Sequence, residues 1–377
     1  MLLFSIAVSA QIKTESLDSE KLGQTRNITI SLPPSYEKKN TKKYPILIVL
    51  DGDFLFDPFY GAISYGSYWD DLPETIIVGI HQNQNDERVD DSQFETSQGL
   101  PDDKGAAFFE FIGQELLPYI EKKYRVAPFR MIAGLDTTAG YLNFFLYKEN
   151  PLFNAYISLN PELAPLMEKR VPEQLSITTS PVFYYLSTSD DEIKKVAEPI
   201  KMLHENIKKD NNPLVNFKFE SFKGAGHYSQ TLYAIPSALH QIFEAYKPIT
   251  SSEFTNKITI LPSGYVDYLE KKYSILNEAL HLDVPIRIND FKAIEAAILK
   301  NKAYSELDQL SILADKHYPK SMLAEYELGL MYEKQEDYKK ATKRYQNASQ
   351  MQEIGSLTKN MMLEKYELML SKIAPKK

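Results

Sequence analysis

Up to about Tyr246, short apolar runs of strand length alternate with stretches of helical periodicity, and this alternation restricts the chain to few folds. Parallel strands joined by crossover helices form a sheet covered on both faces, so an α/β architecture with a mostly parallel sheet is expected. The strand runs are residues 27–32, 44–50, 75–80, 130–135, 155–159, 182–186 and 215–219. Between residues 105 and 123, Phe108, Phe109, Phe111, Ile112, Leu116, Leu117 and Ile120 recur close to a helical period, which gives a stripe suited to packing on the sheet.

Pro248-Ile249-Thr250-Ser251-Ser252 breaks the alternation, and after Pro262 the sequence reads as helix. The expected division is an α/β domain over residues 11–250 and an all-α domain over residues 256–377. In the latter, Leu328-Gly329, Tyr332, Tyr338, Ala341, Tyr345 and Ala348 resemble a tetratricopeptide helix pair, in which small residues allow close approach and aromatics fill the gaps. About 34 residues earlier, the repeat length of that class, Tyr304, Ala314 and Pro319 fit a second, degenerate unit. Five or six helices stacked as a short solenoid would either cover an edge of the first domain or offer a protein partner a groove.

With 43% hydrophobic and 25% charged residues, the chain has the composition of a globular protein. A net charge of −8 and the lack of a Lys/Arg stripe exclude a nucleic-acid partner, because phosphate binding needs clustered cations. Lys38, Lys39, Lys42 and Lys43 read as a solvated loop. Cysteine is absent, which excludes disulfides and thiolate chemistry; the six histidines show no zinc spacing, so neither metal nor cofactor is expected. The apolar run Met1 to Ala10, followed by Gln11-Ile12-Lys13, reads as the end of a signal peptide cut after Ala10, implying a periplasmic or secreted protein. No later stretch is apolar for long enough to span a bilayer.

Phe129-Arg130-Met131-Ile132-Ala133-Gly134 is an apolar strand run, and helix is expected from Thr137. The turn between them, Gly134-Leu135-Asp136-Thr137-Thr138, stands where an α/β serine hydrolase carries Gly-x-Ser-x-Gly, with Asp136 in the nucleophile's place. A carboxylate is a poor nucleophile towards carboxylic esters and opposes a developing oxyanion, although it can displace a leaving group at saturated carbon. Thr138 replaces the glycine that usually lets strand and helix close tightly, so it must fit the strained turn or relax it.

Tyr44-Pro45-Ile46-Leu47-Ile48-Val49-Leu50-Asp51-Gly52-Asp53, Phe109-Glu110-Phe111-Ile112, Glu115-Leu116-Leu117-Pro118-Tyr119-Ile120-Glu121, Tyr124-Arg125 and Leu152-Phe153-Asn154-Ala155-Tyr156-Ile157, in this order, resemble the esterase family of siderophore esterases, S-formylglutathione hydrolase and feruloyl esterases. That resemblance covers nearly all of residues 25–246 and implies an α/β-hydrolase fold with a Ser-acid-His triad and a backbone oxyanion hole. Carried over by position, the nucleophile falls on Asp136 and the histidine on His227, in Gly224-Ala225-Gly226-His227-Tyr228-Ser229. Asp191 or Asp190, within Ser189-Asp190-Asp191-Glu192, would orient the imidazole, or these acids would cap a helix. The oxyanion hole would use the amides of Asp53 and Thr137. Arg88 would anchor an anionic ligand group, and Trp69, with Tyr60, Tyr65 and Tyr68, would line an aromatic site or pack locally.

Three functions follow as expectations. The domain binds an ester-like small molecule with little or no turnover; it is an active hydrolase, on carboxylic esters or with Asp136 as nucleophile and His227 as base; or it is an inert scaffold whose helical repeats recruit a protein.

Overall fold

The structure, a computed structural model, describes residues 11–37, 41–209, 212–282 and 284–373; the signal-peptide reading of residues 1–10 lies outside them. Eight strands form one sheet: β1 Gln11–Ser19, β2 Gln24–Leu32, β3 Tyr44–Val49, β4 Ile76–Ile80, β5 Val126–Leu135, β6 Ala155–Leu159, β7 Val182–Ser189 and β8 Val215–Phe222. Their order is β1-β2-β4-β3-β5-β6-β7-β8. β1 pairs with β2, and β2 with β4, in antiparallel sense; every later pairing is parallel. The apolar runs that mark β3, β4 and β6 are buried at each residue, as befits strands covered by helices on both faces. This is an α/β-hydrolase fold followed by an all-α region.

The polar edge strand β1 is additional to the strands expected from the sequence. Its Glu15 accepts hydrogen bonds from Tyr119 (2.7 Å), Lys123 (2.9 Å) and Tyr124 (3.0 Å), which fasten the edge to a neighbouring helix. That helix is the one anticipated over residues 105–123, with a π segment: Asp103–Glu110 and Leu117–Lys123 are α-helical and Phe111–Leu116 between them is π-helical. Phe108, Phe111, Ile112, Leu116, Leu117 and Ile120 lie in the core.

The chain divides into two compact units, one running to Tyr246 and including Ala279–Leu282, the other made of Lys247–Glu278 and the residues after 283. The second contains the helices Tyr265–Glu278, Ile288–Asn301, Glu306–His317, Leu323–Lys334, Tyr338–Ser349 and Lys359–Ile373. Gly329 lets two of these helices meet, since a Cβ there would come within 2.6 Å of the Tyr345 ring. No helix among the described residues is long and apolar enough to cross a membrane.

Parallel strands end on one edge of the sheet. The segments leaving β3, β5, β6, β7 and β8 at that edge supply Asp51, Asp136, Asn160, Glu192 and His227, respectively.

Candidate functional site

β5 ends in a sharp turn with Asp136 at its apex, at φ 59° and ψ −117°, a conformation that favours glycine and costs other residues energy. Hydrogen bonds over-determine it: the Asp136 amide donates to the Leu159 carbonyl, and the amides of Gly140 and Glu162 both donate to the Asp136 carbonyl, each at 3.0 Å. Gly134 permits the closure, because a Cβ there would sit 2.8 Å from the Thr138 carbonyl carbon and 2.9 Å from the Ala139 nitrogen. Thr138 fits the turn rather than relaxing it. Its Oγ1 accepts from the Leu135 amide at 3.0 Å and donates to Asp51 Oδ2 at 2.5 Å.

Asp51 is buried and is itself left-handed, at φ 56°. Burial pushes its carboxyl above the usual range, against the pull of Arg88 and Thr138. Arg88 Nε donates to Asp51 Oδ1 at 2.7 Å, and its Nη2 donates to the Leu135 carbonyl at 2.8 Å. The same Nη2 lies 3.7 Å from Asp136 Oδ2. The guanidinium of Arg88, expected to anchor a ligand, thus meets two carboxylates and the elbow's own carbonyl, with its side chain 23% exposed.

From the loop after β8, His227 directs Nε2 towards Asp136 Oδ1, 3.9 Å away. That separation exceeds a hydrogen bond. Nδ1 lies 2.7 Å from Glu192 Oε2, so the acid that meets the imidazole is Glu192, and neither Asp191 nor Asp190. β7 continues to Ser189, three residues past its expected end, and the turn at 190–191 brings Glu192 to the imidazole. Asp190 instead accepts the Gly224 amide at 2.9 Å, at the start of the loop that holds His227, and Asp191 is exposed. The Glu192 side chain is only 3% exposed. Burial raises its pKa, but the Asn160 side chain, the Ile193 amide and His227 outweigh this and hold it below the usual range. Asn160 Nδ2 stands 2.5 Å from Glu192 Oε2 and 2.9 Å from His227 Nδ1, and Thr188 Oγ1 donates to Asn160 Oδ1 at 2.7 Å. Sequence reasoning missed the role of Asn160. The available signal was an Asn directly after a buried strand, where its φ of 47° suits a residue tolerant of left-handed backbone.

The amides of Asp53 and Thr137 occupy the first turns of helices starting at Gly52 and Thr137, where the helical ladder supplies no acceptor. The Asp53 carboxylate is occupied with His81 Nδ1 (3.0 Å), the Gln82 amide (2.8 Å) and Asn83 Nδ2 (3.2 Å). Trp69 is not at the site. It follows the Gly52–Tyr68 helix, whose 17 residues extend about 25 Å away from the end that carries Asp53. There it is 61% exposed and packs edge-on against Tyr68. Among the described residues no three His, Cys, Asp or Glu side chains are grouped to hold a metal ion.

Chemically, the site is an imidazole facing the carboxylate at the apex of the turn after β5, with a guanidinium at 3.7 Å from that carboxylate's other oxygen.

Residues 19–188 match the family described as "Putative esterase". This span contains the elbow and stops before Glu192 and His227. Among solved structures, an uncharacterised protein from Capnocytophaga ochracea DSM 7271 is similar at 28% identity, over 96% of this chain and 100% of that one, with a TM-score of 0.87. An IroE-like serine hydrolase from Shewanella oneidensis shares the fold at 19% identity, over 81% and 99% of the two chains, with a TM-score of 0.61. The enterobactin esterase FES from Shigella flexneri, solved in the presence of enterobactin, shares it at 14% identity over 63% and 60%, with a TM-score of 0.51. No curated protein matches the chain.

Proposed function

We propose that the crevice of this chain, which has an α/β-hydrolase fold and matches the esterase family over residues 19–188, binds an ester-like small molecule with little or no hydrolysis. One observation carries this reading: the apex of the elbow is the carboxylate of Asp136, 3.7 Å from Arg88 and 3.9 Å from His227. Arg88 stabilises that charge before any reaction begins, which lowers its reactivity in the ground state. Attack by that carboxylate on a carboxylic ester would move its charge from the oxygens that face Arg88 onto the tetrahedral oxyanion, and the anhydride formed on loss of alkoxide would be cleaved again by that stronger nucleophile. The amides of Asp53 and Thr137 remain suited to hold an ester carbonyl. The shared fold with an enterobactin esterase supports a ligand of ester type.

Purified wild type should show no hydrolysis of short-chain nitrophenyl esters, while Asp136→Ser should gain it through the His227–Glu192 pair. Wild-type hydrolysis that disappears in His227→Ala would overturn the reading.

A second reading has its own support. The strained elbow is kept at a non-glycine residue, and at 3.9 Å His227 Nε2 and Asp136 Oδ1 are near enough to contact one water molecule set to the side of both. Asp136 would displace a leaving group from saturated carbon, forming an aspartyl ester as that group departs with its electron pair. His227 would then take a proton from water, whose oxygen enters the Asp136 carboxyl as the alcohol leaves. Oxygen-18 retained in the peptide containing Asp136, after turnover of halide or epoxide panels in labelled water, would favour this reading over the first.

The close approach at Gly329 and Tyr345 supports a tetratricopeptide-like helix pair in the second unit, open to a protein partner. Export to the periplasm or medium rests on the apolar run before Gln11 and is checked by the amino-terminal sequence of protein recovered from cells.

A further inference from the structure

A groove of about 760 Å³ runs between the Lys194–Lys209 helix and strands β7 and β8, apart from the Asp136 crevice. Its size lies within the range of small-molecule sites. Lys201, His204, Glu205 and Lys208 recur at i, i+3, i+4 and i+7 on the helix face lining it, while Ile200, Leu203 and Ile207 from the same helix are buried in the core. The opposite wall is Phe219 of β8, on which the His204 ring stacks with centroids 4.2 Å apart and 28° between planes. Ala197 and Ile200 extend the apolar lining.

Two features give the groove a polarity. Three lysines, Lys201, Lys208 and Lys209, line it against the single acid Glu205, and Lys201 and Lys208 form no ion pair among the described residues. His204 Nδ1 is buried with no hydrogen-bond partner among the described residues. Burial and the nearby Lys208 cation also lower the His204 pKa, which favours a neutral ring able to donate from one nitrogen without a charge of its own. A flat apolar body laid along the Phe219–His204 stack would place an attached anion at the lysine-bearing rim, where cations hold it without the full cost of burying a charge.

We propose that this groove is a second ligand site, for a small aromatic carboxylate whose ring packs at Phe219 and His204 and whose anion pairs with Lys201 and Lys208.

The test uses the full chain and sodium benzoate, with benzyl alcohol as the uncharged counterpart, followed by saturation-transfer NMR. Benzoate should bind at least about tenfold more tightly than benzyl alcohol, and the exposed charge reversals Lys201→Glu with Lys208→Glu should weaken it by about tenfold or more. Ala197→Trp, which fills the groove, should abolish binding, with circular dichroism confirming that the variant is folded. His227→Ala should leave benzoate affinity unchanged, which separates this site from the proposed crevice. Equal binding of the two probes, affinity unaffected by the charge reversals or by Ala197→Trp, loss of binding in His227→Ala, or no binding up to about 10 mM would each overturn the assignment.

Discussion

The Thr138 hydroxyl stands 2.5 Å from Oδ2 of buried Asp51 and also accepts the Leu135 amide at 3.0 Å, so this one side chain ties the end of β3 to the end of β5. Thr138→Val keeps the shape and removes the hydroxyl, leaving a buried carboxylate short of one donor and a buried amide short of one acceptor. Each unmade bond of this kind costs about 1–3 kcal/mol, so urea denaturation should show a loss of at least that size. Thr138→Ser should retain most of the stability; a stable Val variant would mean that the hydroxyl contributes nothing to the elbow.

Asp136 holds φ 59° and ψ −117°, which only glycine adopts without strain. Relief of such strain is about 1–3 kcal/mol, set against about 0.5–1 kcal/mol for the added freedom of glycine in the unfolded chain. Asp136→Gly should therefore raise stability by about 1 kcal/mol in chemical denaturation. The same substitution should abolish ligand binding in the crevice if the carboxylate contributes to it. A destabilised variant would show that the Arg88 contact at 3.7 Å outweighs the backbone strain.

Glu15 fastens the edge strand, and its carboxyl is pushed down to about 2: burial raises it, and Lys123, Tyr119, Lys13 and Tyr124 together overcome that. A carboxyl depressed in the folded state contributes stability that is present above its unfolded value near 4.5 and is lost as pH falls towards about 2. The protection of β1 amides, referred to intrinsic exchange at each pH, should therefore fall between those pH values in the wild type. Glu15→Gln should already exchange faster at pH 7 and show a flatter response to acid. Identical profiles would show that β1 is held by its ladder with β2 alone.

The buried strands were legible because β3, β4 and β6 are continuous apolar runs, and the elbow because its spacing survives at Gly134 and Asp136. β1 was not, since QIKTESLDS alternates polar residues on an edge and is held by contacts of Glu15 that no local pattern reveals. The π segment Phe111–Leu116 was hidden because its apolar stripe fits an α-helix equally well. Three consecutive acids at 190–192 offered the imidazole a partner, but which one reaches it depends on where β7 ends. Arg88 was visible near the site, whereas its partners Asp51 and Asp136 come from other strand ends and meet it only in the fold.

In the helical unit Glu327 is fully buried and neither carboxylate oxygen has a hydrogen-bond partner among the described residues. Burial, and secondarily Glu295, pushes its carboxyl well above the usual range, and Glu295 is itself raised, chiefly by burial. A carboxyl raised in the folded state contributes stability that is complete below its unfolded value near 4.5 and is lost as pH rises through the folded value. Glu327→Gln removes the titrating proton at nearly the same volume, so the variant should be more stable than wild type at pH 8. The gap should narrow at pH 5, where the wild-type side chain stays neutral in the folded state. Thermal unfolding of both proteins across this range tests the point, and a gap that widened towards acid would require Glu327 to be charged and paired in the native unit.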